Sequence, residues 1–93
     1  MIQSFADRRT ERFFATGRCP AQWRAFERSA ASKLMAIDSA VVLSDLRFPP
    51  GNGLEALGDD RDGQWSMRIK KQWRVCFVWG DTGPERVEIV DYH

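Results

Sequence analysis

The C-terminal third of the chain alternates apolar and polar residues with a period of two, and this pattern restricts the fold more than any other feature. Residues 65–69 alternate in this way, and residues 73–79 do so more strictly. One face of the second segment carries four large apolar residues, Trp73, Val75, Phe77 and Trp79. A turn over Lys70-Lys71-Gln72 and a better one over Gly80–Pro84 lead to a last strand, 86–91. The pattern predicts an antiparallel meander with one buried face.

The N-terminal half has helical periodicity instead. Asp7 suits an N-cap and Gly17 a C-terminal cap, so we expect a first helix over 8–16. A second helix should begin near Pro20. Its apolar residues recur at spacings of three and four: Trp23, Phe26, Ala30, Leu34, Ile37 and Val41. Residues 39–46 either extend this helix or form another short turn, and residues 1–5 have the alternation of an edge strand.

Phe48-Pro49-Pro50-Gly51-Asn52-Gly53 ends the helical half, because consecutive prolines and Gly-Asn-Gly do not continue a helix. A short strand over 54–57 then leads into the meander. The predicted fold class is α+β, with an N-terminal strand and two to three helices packed on one face of an antiparallel β-sheet. At 93 residues, we expect residues 1–93 to form a single domain.

Composition excludes several classes of protein. No apolar run reaches the length of a membrane span or a signal peptide, so we expect a cytoplasmic protein without a membrane partner. Cys19 and Cys76 lack metal-site or disulfide-framework spacing, which predicts free thiols.

Eleven of the fourteen basic residues are arginines, which favours phosphate recognition or, equally, a GC-rich genome. With a net charge of +1, a nucleic-acid surface must be a local patch.

The last three residues, Asp91, Tyr92 and His93, place a carboxylate, a phenol and the only imidazole of the chain side by side. Imidazole titrates near neutral pH, so proton transfer is one interpretation, and a polar chain end is the other. RNA can be cleaved without a metal by a base, an acid and a cation that neutralises the phosphate. His93 could be the acid or base and Arg74 or Arg68 the cation, with Glu55 among the groups that could assist.

Other chemistries have weaker support in the residues. One histidine and scattered carboxylates form no recognisable metal cluster, so neither a metal nor another cofactor is expected. A Cys76–His93 nucleophilic pair is conceivable, but a cysteine between apolar strand neighbours is more often a core residue. Trp73 and Trp79 could stack bases, although they share the apolar face with Phe77 and fit the core better.

The chain resembles the HigB-like "plasmid maintenance system killer" toxins of the RelE superfamily, and their GraT-like branch in particular. The resemblance covers essentially the whole chain. It rests on these segments: Met1–Asp7, Asp45-Leu46-Arg47, Pro49-Pro50-Gly51-Asn52, Leu54-Glu55-Ala56-Leu57, Asp60-Arg61, Gly63–Ser66, Gln72–Phe77 and Val87–His93.

The resemblance implies a microbial-RNase fold and a ribosome-dependent endonuclease that cleaves mRNA in the ribosomal A site, against 16S rRNA. It also implies neutralisation by a HigA-like helix-turn-helix antitoxin. The phosphate-binding arginine of the family falls on Arg74, and its terminal catalytic residues fall on Asp91, Tyr92 and His93. Helical basic residues of such toxins contact the ribosome, which points to Arg24 and Arg28. The further candidates for RNA or ribosome binding are Arg47, Arg68, Lys70 and Lys71.

Two positions depart from the family pattern. Some members have a catalytic histidine where this chain has Glu55, and a lysine where it has Gly58. These changes predict a slower enzyme, since a carboxylate has a lower pKa than imidazole and a phosphate-neutralising charge is lost. Glu55 more plausibly has a structural role, paired with Arg74 or Arg61. The alternative function is a weak or inactive module of this fold that binds its antitoxin or nucleic acid without cleaving RNA.

Overall fold

Two α-helices lie against a four-stranded antiparallel sheet in the computed structural model, which describes residues 1–92. The helices are α1 (Arg8–Thr16) and α2 (Glu27–Ser39). The strands are adjacent in chain order: β1 (Glu55–Ala56), β2 (Trp65–Lys70), β3 (Trp73–Gly80) and β4 (Gly83–Asp91). The predicted α+β class with helices preceding a meander is confirmed.

Helix α1 begins and ends where its capping residues predict. The Asp7 carboxylate accepts a hydrogen bond from the Thr10 N–H at 2.7 Å. At the other end Gly17 has φ of 80°, a left-handed conformation that glycine adopts readily, and its N–H donates to the Phe13 carbonyl. Both caps satisfy backbone groups that the helix leaves unpaired.

The second helical region starts as a 3₁₀ turn over Ala21–Phe26 and continues as α2 to Ser39. The expectation that Val41 is a helical core residue is wrong, because its side chain is 84% exposed beyond the helix end. The carboxylate of Asp45 accepts hydrogen bonds from the N–H groups of Val41 and Val42, and a separate 3₁₀ helix follows over Leu43–Arg47. This local side-chain bonding competes with continuation of α2.

The predicted edge strand over residues 1–5 is reduced to a single parallel bridge between Phe5 and Val87. Strand β4 has a bulge here, because the register with β3 shifts between Cys76 and Val78. Arg86, in the bulge, has φ of 53°. A bulge bends and twists a strand. Backbone hydrogen bonds from Gln3 to Pro84 and from Ala6 to Val87 still join the N-terminal segment to this edge. The predicted strand 54–57 likewise shortens to two paired residues, Glu55 and Ala56.

The core lies between the helices and one face of the sheet. Its fully buried side chains from the helical half are Trp23, Ala30, Leu34 and Ile37, and those from the sheet are Met67, Val75, Phe77 and Val87. The predicted apolar face of β3 is confirmed, with Trp73 and Trp79 half-buried at its ends. No helix within residues 1–92 is long and apolar enough to cross a membrane. The other sheet face carries polar residues.

Candidate functional site

Two rows of cross-strand neighbours build this polar face. One row runs Glu55, Ser66, Cys76 and Glu88, and the next runs Arg68, Arg74 and Val90. Residues directly opposite one another in antiparallel strands point to the same face, so these side chains are close neighbours. The period of two that buries Val75 and Phe77 therefore places Arg74 on the opposite side. Below, the residues of these two rows are called the polar sheet face.

Arg74 lies at the centre of the polar sheet face, held by three groups. Its Nη2 is 3.1 Å from Glu55 Oε1. Its Nη1 donates to Ser66 Oγ at 2.6 Å and to the Gly53 carbonyl at 3.4 Å. Only 11% of the Arg74 side chain is exposed, compared with 55% for Glu55. The guanidinium is thus fixed in place while its carboxylate partner remains accessible to solvent, and the expected pairing of Glu55 with Arg74 is confirmed.

The Gly53 carbonyl is positioned by the proline-rich loop. The buried Asn52 amide donates to the Leu46 and Phe48 carbonyls at 3.1 and 3.0 Å. Its Oδ1 accepts from Lys33 Nζ of α2 at 2.6 Å. Asn52 therefore ties the loop to the helix, and the next residue places its carbonyl against Arg74.

Arg68 stands directly opposite Arg74 in the β2–β3 ladder and is exposed. No carboxylate of residues 1–92 forms an ion pair with it. Since like charges opposite each other are unfavourable in a sheet, an anion between the two guanidinium groups would relieve their repulsion. The expectation that Arg68 and Arg74 share a surface is confirmed.

Cys76 belongs to the polar sheet face but is fully buried. Burial raises the pKa of its thiol; the nearby Arg61 opposes this effect and Glu88 reinforces it. Arg61 and Glu88 are themselves paired at 3.3 Å. A thiol with a raised pKa stays protonated at neutral pH and is a poor nucleophile. The structure supports the core interpretation of Cys76.

The terminal residues lie at the edge of the sheet. Asp91 is the last residue of β4 and pairs with Trp73, one position from the Arg74–Val90 pair, so it falls on the helix-facing side of the sheet and not on the face of Arg74. The Tyr92 N–H donates to the Gln72 carbonyl at 2.8 Å. His93 lies outside the described residues, so its catalytic role remains a prediction.

The basic residues predicted to bind RNA or the ribosome lie in different parts of the structure. Arg24, Arg28 and Lys70 line one open groove of about 500 Å³, together with Glu27 and the apolar residues Phe26 and Ile69. Lys70 therefore meets Arg24 and Arg28, more than 40 positions away in sequence, on one surface, called the basic groove below. Lys71 is exposed at the β2–β3 hairpin with φ of 52°, and Arg47 is exposed at the end of its 3₁₀ helix.

The sequence interpretation missed three polar residues that the structure connects to Arg74: Ser66, Asn52 and Lys33. The sequence pattern could have indicated Ser66, since it is a small polar residue two positions from Arg68 on the same face of β2. It could not have indicated the contact between Asn52 and Lys33, which are 19 positions apart. Among residues 1–92, no group of three His, Cys, Asp or Glu side chains is placed to hold a metal ion.

Comparison with known proteins gives one family. The sequence model of the HigB-like toxin family, described as the RelE-like toxin of the type II toxin-antitoxin system HigB, matches residues 3–93. Toxin HigB-1 of Vibrio cholerae serotype O1 (strain ATCC 39315 / El Tor Inaba N16961) is 44% identical over 55 residues, which cover 59% of this chain and 58% of that protein. Endoribonuclease HigB of Proteus vulgaris is 31% identical over 61 residues, covering 66% and 65%. The chain thus spans less than two thirds of the length of either relative.

Proposed function

The chain belongs to the HigB-like family, the RelE-like toxins of type II toxin-antitoxin systems, and from this membership we propose that it is an endoribonuclease that cleaves mRNA in the ribosomal A site. The observation that carries the proposal is the anchored guanidinium of Arg74, fixed on an open sheet face beside the end of the last strand. The similarity to an endoribonuclease from Proteus vulgaris supports it.

The proposed reaction is an in-line attack by the ribose 2′-hydroxyl on the adjacent phosphate, without a metal ion. The 2′-oxygen bonds to phosphorus as its proton passes to a base. The bond from phosphorus to the 5′-oxygen breaks as that oxygen receives a proton from an acid. His93 serves as acid or base, with Asp91 or Tyr92 as its partner. Arg74 stabilises the charge on the non-bridging oxygens, assisted by Arg68.

In this scheme Glu55 does not transfer a proton, as a catalytic histidine at its position would. Its carboxylate contacts the same guanidinium that the phosphate would bind. RNA must therefore exchange with Glu55 or share Arg74 with it, and the exposure of Glu55 allows its side chain to move into solvent. Ser66 and the Gly53 carbonyl keep Arg74 oriented during the exchange.

Ribosome docking is assigned to the basic groove. Arg24, Arg28 and Lys70 contribute three positive charges there against one carboxylate, Glu27. Guanidinium groups bind phosphate in a bidentate manner, so 16S rRNA backbone is the proposed contact. Lys71, next to Lys70 at the hairpin, extends this basic surface, and Arg47 is proposed as a separate RNA contact.

The proposed inhibitor is a HigA-like helix-turn-helix antitoxin, by virtue of the type II family. Since ribosomes and mRNA are the targets, the proposed location is the cytoplasm. No small-molecule cofactor takes part in the scheme.

A catalytically weak or inactive module that binds its antitoxin or nucleic acid without cleavage is the second candidate. The Glu55–Arg74 ion pair favours it, because a carboxylate occupies a donor that the phosphate needs. Gly58, which offers no charge where the resemblance implies a lysine, favours it further.

Induced expression with mapping of mRNA 5′ ends on translating ribosomes separates the two candidates. Wild type should arrest growth and produce new 5′ ends, and His93→Ala and Arg74→Gln should produce neither. Arg86→Gln is the matched control, since Arg86 is an exposed arginine of β4 outside the proposed site. Intact mRNA and normal growth with wild type would establish the inactive module. Full toxicity of His93→Ala would remove His93 from the mechanism.

A further inference from the structure

Three arginines that the proposed reaction does not use surround one cavity. Arg9, Arg12 and Arg18 line a space of about 190 Å³, together with Cys19 and Pro20. Arg9 and Arg12 are three positions apart on α1 and so face the same side of the helix. Arg18 follows the Gly17 cap. Below, these three residues are called the arginine cluster.

The positive charge of the arginine cluster is not neutralised within residues 1–92. None of its members forms an ion pair with a carboxylate of that part of the chain. The nearby Asp7 uses its carboxylate to cap α1. Glu11 lines a neighbouring cavity together with Arg8 and Arg12, but among residues 1–92 it forms no ion pair with Arg9, Arg12 or Arg18. Bringing like charges together is unfavourable unless an anion joins them, so the arrangement points to an anionic ligand.

Arg9 is held in place by uncharged groups. Its Nη1 donates to Gln22 Oε1 at 3.0 Å, and its guanidinium carbon lies 5.3 Å from the ring centroid of the buried Trp23. A guanidinium stacked on an aromatic ring is already ordered, and its remaining N–H groups stay available to a ligand. Less conformational entropy is lost when a ligand binds such a pre-positioned group.

Arg9 also links the arginine cluster to the end of the last strand. It lines a second cavity, of about 400 Å³, together with Trp73, Val90 and three carboxylates, Asp7, Glu88 and Asp91. This second cavity lies where the proposed cleavage residues begin. These carboxylates repel a phosphate inside the cavity, so an RNA strand bound at Arg74 would reach the arginine cluster along the rim, past the exposed Arg9.

We propose that Arg9, Arg12 and Arg18 form a second phosphate subsite, which binds the backbone of the same RNA strand away from the cleaved bond. The inference rests on the proposed function, since it assumes that RNA lies at the end of β4. Planar guanidinium groups suit phosphate oxygens, and the position of Arg9 between the arginine cluster and the end of β4, where the proposed RNA binds, favours RNA over an acidic protein segment. Such contacts position the strand and carry no base specificity.

Fluorescence anisotropy with labelled single-stranded RNA tests the subsite. The double variant Arg12→Gln/Arg18→Gln should bind a roughly twelve-nucleotide strand on the order of tenfold more weakly, with a log–log salt slope shallower by about 1.4. A dinucleotide, which is too short to reach both sites, should bind with unchanged affinity. Arg8→Gln is the matched control: Arg8 is an exposed arginine on the same helix that does not line the cavity of the arginine cluster. It should leave the binding of both RNAs unchanged.

Three results would overturn the subsite. Arg8→Gln could weaken binding as much as the double variant, which would indicate a general charge effect. The double variant could bind the long strand as wild type does. Polyglutamate could displace the long strand at lower concentration than unlabelled RNA, and lose this ability in the double variant, which would indicate an acidic protein ligand. Cleavage that persists in Arg74→Gln would instead contradict the proposed active site, and the binding comparison would still decide the subsite.

Discussion

Arg74 and Glu55 form an ion pair with unequal exposure: the guanidinium is nearly buried, and the carboxylate 3.1 Å away is more than half exposed. Arg74 has two further partners, Ser66 and the Gly53 carbonyl, whereas no other polar contact of the Glu55 side chain is described within residues 1–92. An exposed carboxylate in such a pair contributes only about 0–1 kcal/mol to stability. Glu55 can therefore leave Arg74 without disturbing its position.

Replacement of Glu55 by glutamine should strengthen RNA binding severalfold, because an anion that competes for Arg74 is removed while the other two contacts remain. The free energy of unfolding should change by less than about 1 kcal/mol. Anisotropy with a short RNA and urea denaturation measure the two quantities. Glu88→Gln is the control, since it removes a carboxylate from the same sheet face but breaks the Arg61 pair instead. Weaker binding by Glu55→Gln would mean that the carboxylate positions Arg74.

Ser66→Ala should lower RNA cleavage on the order of tenfold and destabilise the fold by about 1 kcal/mol. The variant removes the shortest contact of Arg74 and leaves a guanidinium N–H without that partner in a nearly buried place. Cleavage on translating ribosomes and chemical denaturation measure both effects.

Ser4→Ala provides the comparison for Ser66→Ala. Ser4 Oγ accepts a hydrogen bond from the Arg86 N–H, so this variant also removes a hydroxyl bonded to the sheet, but away from Arg74 and from the basic groove. It should keep full cleavage activity. Equal losses in the two variants would show that the effect of Ser66→Ala arises from the stability of the sheet.

The sequence predicted those parts of the fold that local chemistry determines. Asp7 and Gly17 bound α1 because caps act within one helical turn, and the period of two in β3 assigns Val75 and Arg74 to opposite faces. Val41 was wrongly predicted to be helical because apolar periodicity contains no information about Asp45, whose carboxylate accepts a hydrogen bond from the Val41 N–H beyond the end of α2. The N-terminal bridge depends on a bulge at Arg86, about 80 residues away, which no local pattern reveals.

The sequence likewise predicts some contacts of the candidate site and not others. The Glu55–Arg74 pair was foreseen because both residues follow from strand assignment and opposite charge. Ser66, Asn52 and the Gly53 carbonyl were missed, since their contacts depend on the exact path of the proline-rich loop and on a diagonal between strands. The arginine cluster was also missed, because Arg18 joins Arg9 and Arg12 only through the turn at Gly17.

Asn52→Ala should destabilise the protein by about 1–3 kcal/mol, since two loop carbonyls lose a donor and Lys33 loses its acceptor. Arg74 should also become less ordered, because the Gly53 carbonyl follows Asn52 directly. Urea denaturation gives the first quantity. Lys33→Met removes only the hydrogen bond from Lys33 to the Asn52 side chain, so it should lower the free energy of unfolding by less than Asn52→Ala does. If Lys33→Met is as destabilising as Asn52→Ala, the lysine rather than the amide secures the loop.

Cys76 should make the protein less stable in alkali. Burial raises the pKa of its thiol, so the folded protein keeps a proton that the unfolded chain releases. The free energy of unfolding then falls as pH rises through the unfolded thiol pKa of about 8.5, and below that pH the contribution is fully present. In a Cys19→Ala background, urea denaturation between about pH 7 and pH 10 should show a steeper decline with Cys76 than with Cys76→Ala. Parallel declines would mean that the buried thiol does not govern alkaline stability.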